Sequence, residues 1–265
     1  KKKEIIYTRD IEFALLCYFL KIKVIYEIHQ YGMIRKSTRF FRFNKIILIL
    51  LSKSSDVNFV TLTKGASRVL KYLFPKIDTQ RIYIIPDAGV LFKSKNINRF
   101  KLIASKAKLN IGYAGSFLPG KGGIETLKLA QNLKGYYFNL AGSIDKEKEK
   151  NLLNSNNINY VGYLNDFELT NFYEQNDVLI APIGKRIFLD KQHLNEITFY
   201  TSPLKLFEYL STNKPVITID RPCTRILRNI PGFWLIDKEK SDCIKTWIKV
   251  LNDVYKFIEN DKIRD

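Results

Sequence analysis

Histidine is nearly absent from this chain: His29 and His193 are the only two in 265 residues. That scarcity excludes a histidine-rich metal centre. The three cysteines, Cys17, Cys223 and Cys243, are odd in number and widely separated. They form neither a disulfide framework nor a metal-ligand spacing, which points to a reducing, cytoplasmic setting. No D-x-D cluster occurs, which disfavours a metal-dependent transferase; no cofactor and no metal are expected. Apolar runs such as IILILL, Ile46 to Leu51, fall far short of the ~20 residues that span a bilayer. No signal peptide is visible. The chain opens KKKEIIY without an initiator methionine, and Met33 is its one methionine, so it is expected to be a fragment.

Acidic residues are also in short supply, 26 against 44 Lys and Arg, for a net charge of +18. Such a balance favours anionic partners: nucleotide phosphates, anionic lipid or nucleic acid. Heavy Lys, Ile and Asn usage throughout the chain is an equally good account of it. A nucleic-acid partner is not expected, because charge alone supports it and no recognition motif accompanies the charge.

What is present is an alternation of short apolar runs and helical patterns. EIIYT, KVIYEIH, VNFVTLT and RIYIIP read as buried strands in the first third. NIGYAG, YYFNLAG, INYVGYL, DVLIAPI, PVITID and FWLID follow. Between them lie IEFALLCYFLK, KGASRVLKYLF, IETLKLAQNL and PLKLFEYLS as helices. Strands separated by helices predict βαβ units and parallel sheets, an α/β fold. The polar, lysine-rich stretch from Asp87 to Asn110 reads as a linker. The expected organisation is a partial first domain over 1–92, a linker over 93–107 and a second domain over 108–240. A C-terminal amphipathic helix over 241–265, packing near the domain junction, completes it. Its apolar residues Ile244, Trp247, Ile248, Leu251, Tyr255 and Ile258 recur at helical spacing.

GSFLPGKGG, Gly115 to Gly123, follows the strand NIGYAG and precedes a helix. Free backbone N–H groups and the helix dipole favour an anion there. Lys121 adds a full positive charge, and Gly122 and Gly123 let a phosphate approach the backbone. An ATP-type P-loop would need Ser or Thr at Gly122 and an acid ending another strand, for which Asp220 is a candidate. A plain tight turn is the other reading of these glycines. A second constellation lies in TSPLKLFEYLSTNKPVITID. Ser202 reads as the N-cap, Pro203 as the first helical residue, and Lys205 and Glu208 share a helix side. A lysine near a helix start suits phosphate, and a carboxylate one turn on suits the vicinal hydroxyls of a ribose. An exposed Lys–Glu pair of small energetic value is the alternative.

In that order, GYAGSF, GKGGIETL, NLAGS, INYVGYL, DVLIAPI and SPLKLFEYLSTNKPVI resemble the C-terminal domain of glycosyltransferase family four. The similarity spans Lys108 to about Asp220 and reaches back, more weakly, to KVIYEIH, VTLTKGASRVL and IIPDAG. The resemblance implies a GT-B fold of two Rossmann-like domains with parallel sheets, the first incomplete here. It implies a retaining, metal-independent transfer of sugar from a nucleotide donor to a glycan or lipid-linked acceptor. Glu208 matches the ribose-binding glutamate, and Lys121 the lysine on the donor phosphates, with Gly115, Ser116, Gly122, Ser202, Pro203, Leu204 and Lys205 beside them. Gly162, Tyr163 and Leu164 match the loop that cradles the base. His29 matches a histidine near the transferred sugar and acceptor, a catalytic candidate; a structural histidine at a strand end is the plainer account. Three features depart from the pattern. Ser116 stands where an arginine is common, and Tyr200 where many members carry a second glutamate, with Glu196 out of register. The chain is also expected to begin after the start of the family's first domain.

Arg35, Arg39 and Arg42 fall on one helical stripe among Phe40, Phe41 and Phe43. This composition suits contact with an anionic membrane surface, or a domain helix with a solvated basic face. The expected setting is cytoplasmic, peripheral on the inner membrane face, in bacterial polysaccharide, lipopolysaccharide or glycolipid synthesis. A GT-B sugar-nucleotide epimerase and an inactive nucleotide-binding remnant are the competing functions.

Overall fold

In a computed structural model of the chain, residues 4–29, 31, 41–89, 107–145, 147, 149–193 and 196–262 are described. Two compact units divide it. One comprises Lys1–Asp87 with Phe199–Ser202, the other Ala88–Thr198 with Pro203–Asp265.

The first unit holds four parallel strands in sequential order, β1 (Ile5–Thr8), β2 (Lys23–Ile28), β3 (Val57–Thr61) and β4 (Ile82–Ile84). Helices α1 (Ile11–Phe19), α2 (Phe41–Lys53) and α3 (Lys64–Leu73) make the crossovers. Tyr26 and Phe59 are register partners across β2 and β3 and meet edge to face at 6.4 Å, a favoured aromatic geometry. Asp10 caps α1 through Phe13 N–H, and Thr63 caps α3 through Ala66 N–H, each satisfying an orphan donor of a first turn. Arg81 donates to carbonyls in the last turn of α2 and at the start of β3, Ser52 O at 2.6 Å and Val57 O at 2.9 Å. The segment 199–202 belongs here because Tyr200 packs on Tyr31 and its carbonyl accepts from Thr63 Oγ1. Gly65 makes this possible: a Cβ there would lie 1.7 Å from the Phe199 carbonyl oxygen.

The second unit is a six-stranded parallel sheet. Its strands are β5 (Asn110–Ala114), β6 (Tyr137–Ala141), β7 (Ile158–Gly162), β8 (Val178–Ala181), β9 (Val216–Ile219) and β10 (Phe233–Ile236), connected by α4 (Gly123–Asn132), α5 (Lys150–Leu153), α6 (Asp166–Glu174) and α7 (Leu204–Leu210). The order β10-β9-β8-β5-β6-β7 is that of a doubly wound sheet. The chain leaves β5 in one direction through β7, then returns to β8 on its other side. The carboxyl ends of β5 and β8 therefore mark the switch point, where such sheets bind ligands. The C-terminal helix α8 (Ile244–Lys262) sets Trp247, Leu251 and Val254 in one buried cluster with Ile111, Phe138, Ile180 and Ile217.

A row of amides, buried at Asn139 and Asn176 and partly exposed at Asn159, crosses this sheet. Asn159 Nδ2 donates to Asn139 Oδ1 at 3.0 Å, and Asn139 Nδ2 to Asn176 Oδ1 at 2.9 Å. Gly112 is the register neighbour of Asn139, and a Cβ on it would lie within 2.8 Å of the Asn176 side chain. The first glycine of NIGYAG, Gly112, is thus required by packing.

The ten strands read from the sequence are all present, as are the four helices named with them and the C-terminal one. The linker stretch falls almost wholly outside the described residues, as do Arg35, Arg39 and Phe40; of the arginine stripe, Arg42 lies on α2 and is exposed.

Candidate functional site

The site grows from the last residue of β5. Tyr209, buried in α7, clasps Ala114 from both sides: its hydroxyl accepts from Ala114 N–H at 2.8 Å and donates to Ala114 O at 2.9 Å. That clasp fixes α7 against the carboxyl end of β5. One turn back on the helix, residue i–4 faces the same way, and that residue is Lys205. Its Nζ donates to Tyr113 Oη at 2.8 Å and to the Lys121 carbonyl at 3.0 Å, and lies 4.2 Å from the centre of the Tyr113 ring. The lysine at the start of α7 is thereby threaded into the glycine loop that follows β5.

Gly115 explains why this loop needs its first glycine. It sits at φ +146°, and a Cβ would come within 2.6 Å of Lys205 Nζ. Gly122 is the N-cap of α4 at φ +105°, a left-handed conformation that side chains resist. Gly123 has another cause than phosphate access, since a Cβ there would lie 2.6 Å from the Phe117 ring. Tyr113 Oη donates to the Ser116 carbonyl at 2.6 Å, which holds the loop's entry. Ser116 itself is exposed, and its Oγ accepts from Leu118 N–H at 3.1 Å.

Charge is concentrated here under partial burial. Burial, then the neighbouring Lys121 charge, push the Lys205 amine down to about 7, while Glu208 and Glu125 pull it the other way. Lys121 is also pushed down by burial, with Cys223 opposing. Glu208 projects from the same side of α7, and its Oε2 accepts from Tyr173 Oη of α6 at 3.2 Å. Burial holds the Glu208 carboxyl above the usual carboxylate range, against that hydrogen bond and the Lys205 charge. Glu125 in the first turn of α4 is raised by burial too, while the N–H groups of Glu125 and Gly122 lower it. Its Oε2 is buried without a hydrogen-bond partner among the described residues.

The expected residues on β5, α4 and α7 therefore converge at one sheet edge, and the next strand ends continue it. Gly142, after β6, would place a Cβ 1.9 Å from Gly115 O, and its N–H donates to Gly162 O at 2.7 Å. Gly162, at φ +83°, ends β7 and leads to an exposed Tyr163 and a buried Leu164. The start of α7 differs by one residue from the sequence reading. Pro203 is the N-cap and Leu204 the first helical residue, with no side-chain capping bond. Ser202 Oγ is instead buried without a partner among the described residues. Tyr200 packs 5.3 Å from Tyr31. Glu196 pairs with Arg186 at 2.6 Å, and Asp220 with Arg225 at 2.6 Å. Sequence reasoning missed Tyr113, Glu125, Tyr173 and Tyr209, which carry no motif of their own and act through tertiary approach.

In the first unit His29 follows β2, its Nε2 on the carboxylate of buried Glu27. Among the described residues, no cluster of His, Cys, Asp or Glu is suited to a metal ion, and no helix is long and apolar enough to cross a membrane.

The site thus places basic groups at the switch point of a doubly wound parallel sheet, where such sheets bind ligands. Solved structures narrow the fold further, to that of GT-B glycosyltransferases. The chain superposes on Anabaena HepE in complex with UDP and glucose with a TM-score of 0.60, 14% identity, and coverage of 97% of this chain and 71% of that one. Against sucrose-phosphate synthase from Thermosynechococcus elongatus the values are 0.63, 13%, 94% and 65%. TarM gives 0.59 at 14% identity over 97% of this chain and 48% of its own. The chain thus spans between about half and seven tenths of the length of these proteins. No family model and no curated protein sequence matches it.

Proposed function

We propose that the protein transfers a sugar from a nucleotide-diphosphate donor to a glycan or lipid-linked acceptor. The observation that carries this reading is the placement of Lys205 Nζ within the glycine loop at the β5/β8 switch point, with Glu208 one turn along the same helix. In this reading Lys121 and Lys205 meet the donor diphosphate, Glu208 the ribose hydroxyls, and Gly162 to Leu164 the base. When the glycosidic bond breaks, negative charge develops on the departing phosphate, and fixed cations stabilise it. Lys121 of the loop and Lys205 of α7 supply that charge from the chain itself, which supports a metal-independent reaction. Retention of configuration, a hexosyl donor and family-four membership rest on the resemblance of the motifs. HepE and the pneumococcal O-GlcNAc transferase GtfA were each solved with UDP and a sugar, in keeping with a nucleotide-sugar donor here.

His29 is assigned to the acceptor or the transferred sugar. The setting is cytoplasmic and peripheral to an anionic membrane, in synthesis of a bacterial surface polysaccharide or glycolipid. An exposed Arg42, Phe43, Lys45 and Ile46 on α2 support the membrane contact. The test is transfer of radiolabelled sugar from UDP-, GDP- and ADP-sugars into a membrane lipid extract, with wild type and Glu208→Ala. The reading expects label in the lipid fraction with one nucleotide, falling at least about tenfold in the variant. Equal transfer by both proteins, or donor turnover with no dependence on acceptor, would contradict it.

A further inference from the structure

Glu27 is the most deeply buried acid among the described residues, 4% exposed, and its carboxylate faces Tyr7, Arg9 and His29. Tyr7 Oη donates to Oε2, while His29 Nε2 and, at 3.2 Å, Arg9 Nε address Oε1. The strand register brings them together. β1 and β2 are parallel with Tyr7 opposite Ile25, and side chains alternate along each strand. Ile25, Glu27 and His29 therefore line one face of β2, with Tyr7 and Arg9 beside them from β1 and its end. Nothing in the family resemblance assigns a task to Glu27, Tyr7 or Arg9.

A buried carboxylate is tolerated when its charge is met by hydrogen-bond donors. An ionised carboxylate is an acceptor only, so the imidazole nitrogen that faces it must carry the proton. That nitrogen is Nε2. In the neutral ring Nδ1 is then left as a bare acceptor, and His29 is half-exposed at the carboxyl end of the strand. We propose that Glu27, itself steadied by Tyr7 and Arg9, is a positioning residue that holds His29 in the Nε2–H tautomer and presents Nδ1 to a sugar hydroxyl. The proposal rests on the reading of the chain as a sugar transferase for what Nδ1 meets, but not for the tautomer.

Long-range ¹H–¹⁵N correlation spectra of the untagged full chain carrying His193→Gln isolate His29, since the chain has only two histidines. His193 stacks on Phe188 at 4.5 Å and is no part of the Glu27 cluster. The neutral His29 ring is expected to show the Nε2–H pattern, and Glu27→Gln to lose it for a mixture of tautomers. In transfer assays Glu27→Gln lowers kcat by about 10- to 100-fold with KM for the nucleotide sugar within about twofold, and Glu27→Asp recovers part of the loss. An Nδ1–H pattern in the parent, an unchanged His29 spectrum in Glu27→Gln, or an unchanged kcat overturns the proposal. Should Glu27→Gln fail to fold, the parent spectrum and Tyr7→Phe decide it. A chain that transfers no sugar sinks the functional reading alone, and the spectra still decide whether Glu27 sets the ring.

Discussion

Tyr209 and Lys205 stand one turn apart on α7 and divide the labour of the second unit's site between them. The tyrosine anchors the helix to the end of β5, and the lysine reaches the loop because the anchor holds. Tyr209→Phe removes both hydrogen bonds and leaves a buried N–H and C=O of Ala114 unpaired. It is expected to destabilise the chain by about 1–3 kcal/mol, measured as a lowered urea midpoint, with donor affinity falling alongside. Gly115→Ala separates the two roles. Its Cβ would meet the Nζ and Cε atoms of Lys205 rather than backbone. Donor affinity measured by calorimetry should fall at least about tenfold while the thermal midpoint drops by only a few degrees. Lys205 and Glu208 were legible in the sequence because helical spacing places residues three apart on one side. Tyr113, Tyr173 and Tyr209 were not. Their hydroxyls matter only once strand and helices meet, and no periodicity encodes that approach.

At the scale of elements, strands were the most legible because parallel sheets are covered on both faces and read as continuous apolar runs. Helix α6 was overlooked although its start carries a capping box, Asn165 and Glu168 bonding each other's backbone. Its buried face includes Glu168 and Thr170, which blurs the apolar stripe that periodicity looks for. Helix α1 shows the opposite: IEFALLCYF is apolar on nearly every side, a pattern usual for a covered helix. Here Phe13, Leu16 and Phe19, with Ile5 and Tyr7 on the edge strand β1, are exposed. Open apolar edges invite association. Ile5→Lys with Phe19→Lys should raise the concentration at which light scattering appears and leave the thermal midpoint unchanged. On α2, Phe43 and Ile46 are 51% and 56% exposed. Replacing both with Glu should lower co-sedimentation with phosphatidylglycerol vesicles several-fold at constant helicity, and undiminished binding would remove this helix from membrane contact.

For the whole molecule, two parallel sheets in separate units are the outcome of a sequence with alternating strands and helices, and the second sheet has its switch point where the glycine loop lies. Lys121 of that loop and Lys205 of α7 are both held below their ordinary pKa by burial. The sign of the consequence is fixed by linkage. Lys205 is depressed to about 7 in the folded chain against about 10.4 when unfolded. Between those values the unfolded chain binds more protons, so this group's contribution to stability rises with pH across the window. An anion at the site reverses the penalty by restoring the charge. A nucleotide sugar, whose phosphate diester groups stay ionised throughout, should therefore bind with proton uptake at pH 8 and more weakly at pH 8.5 than at pH 6. Calorimetry of UDP-, GDP- and ADP-glucose in buffers of different ionisation enthalpy, with wild type and Lys205→Ala, measures this directly. The account predicts that one nucleotide sugar binds wild type with uptake of a fraction of a proton at pH 8. In Lys205→Ala it expects affinity at least about tenfold weaker and most of that uptake lost. Equal affinity for both proteins, or binding to neither, would contradict it.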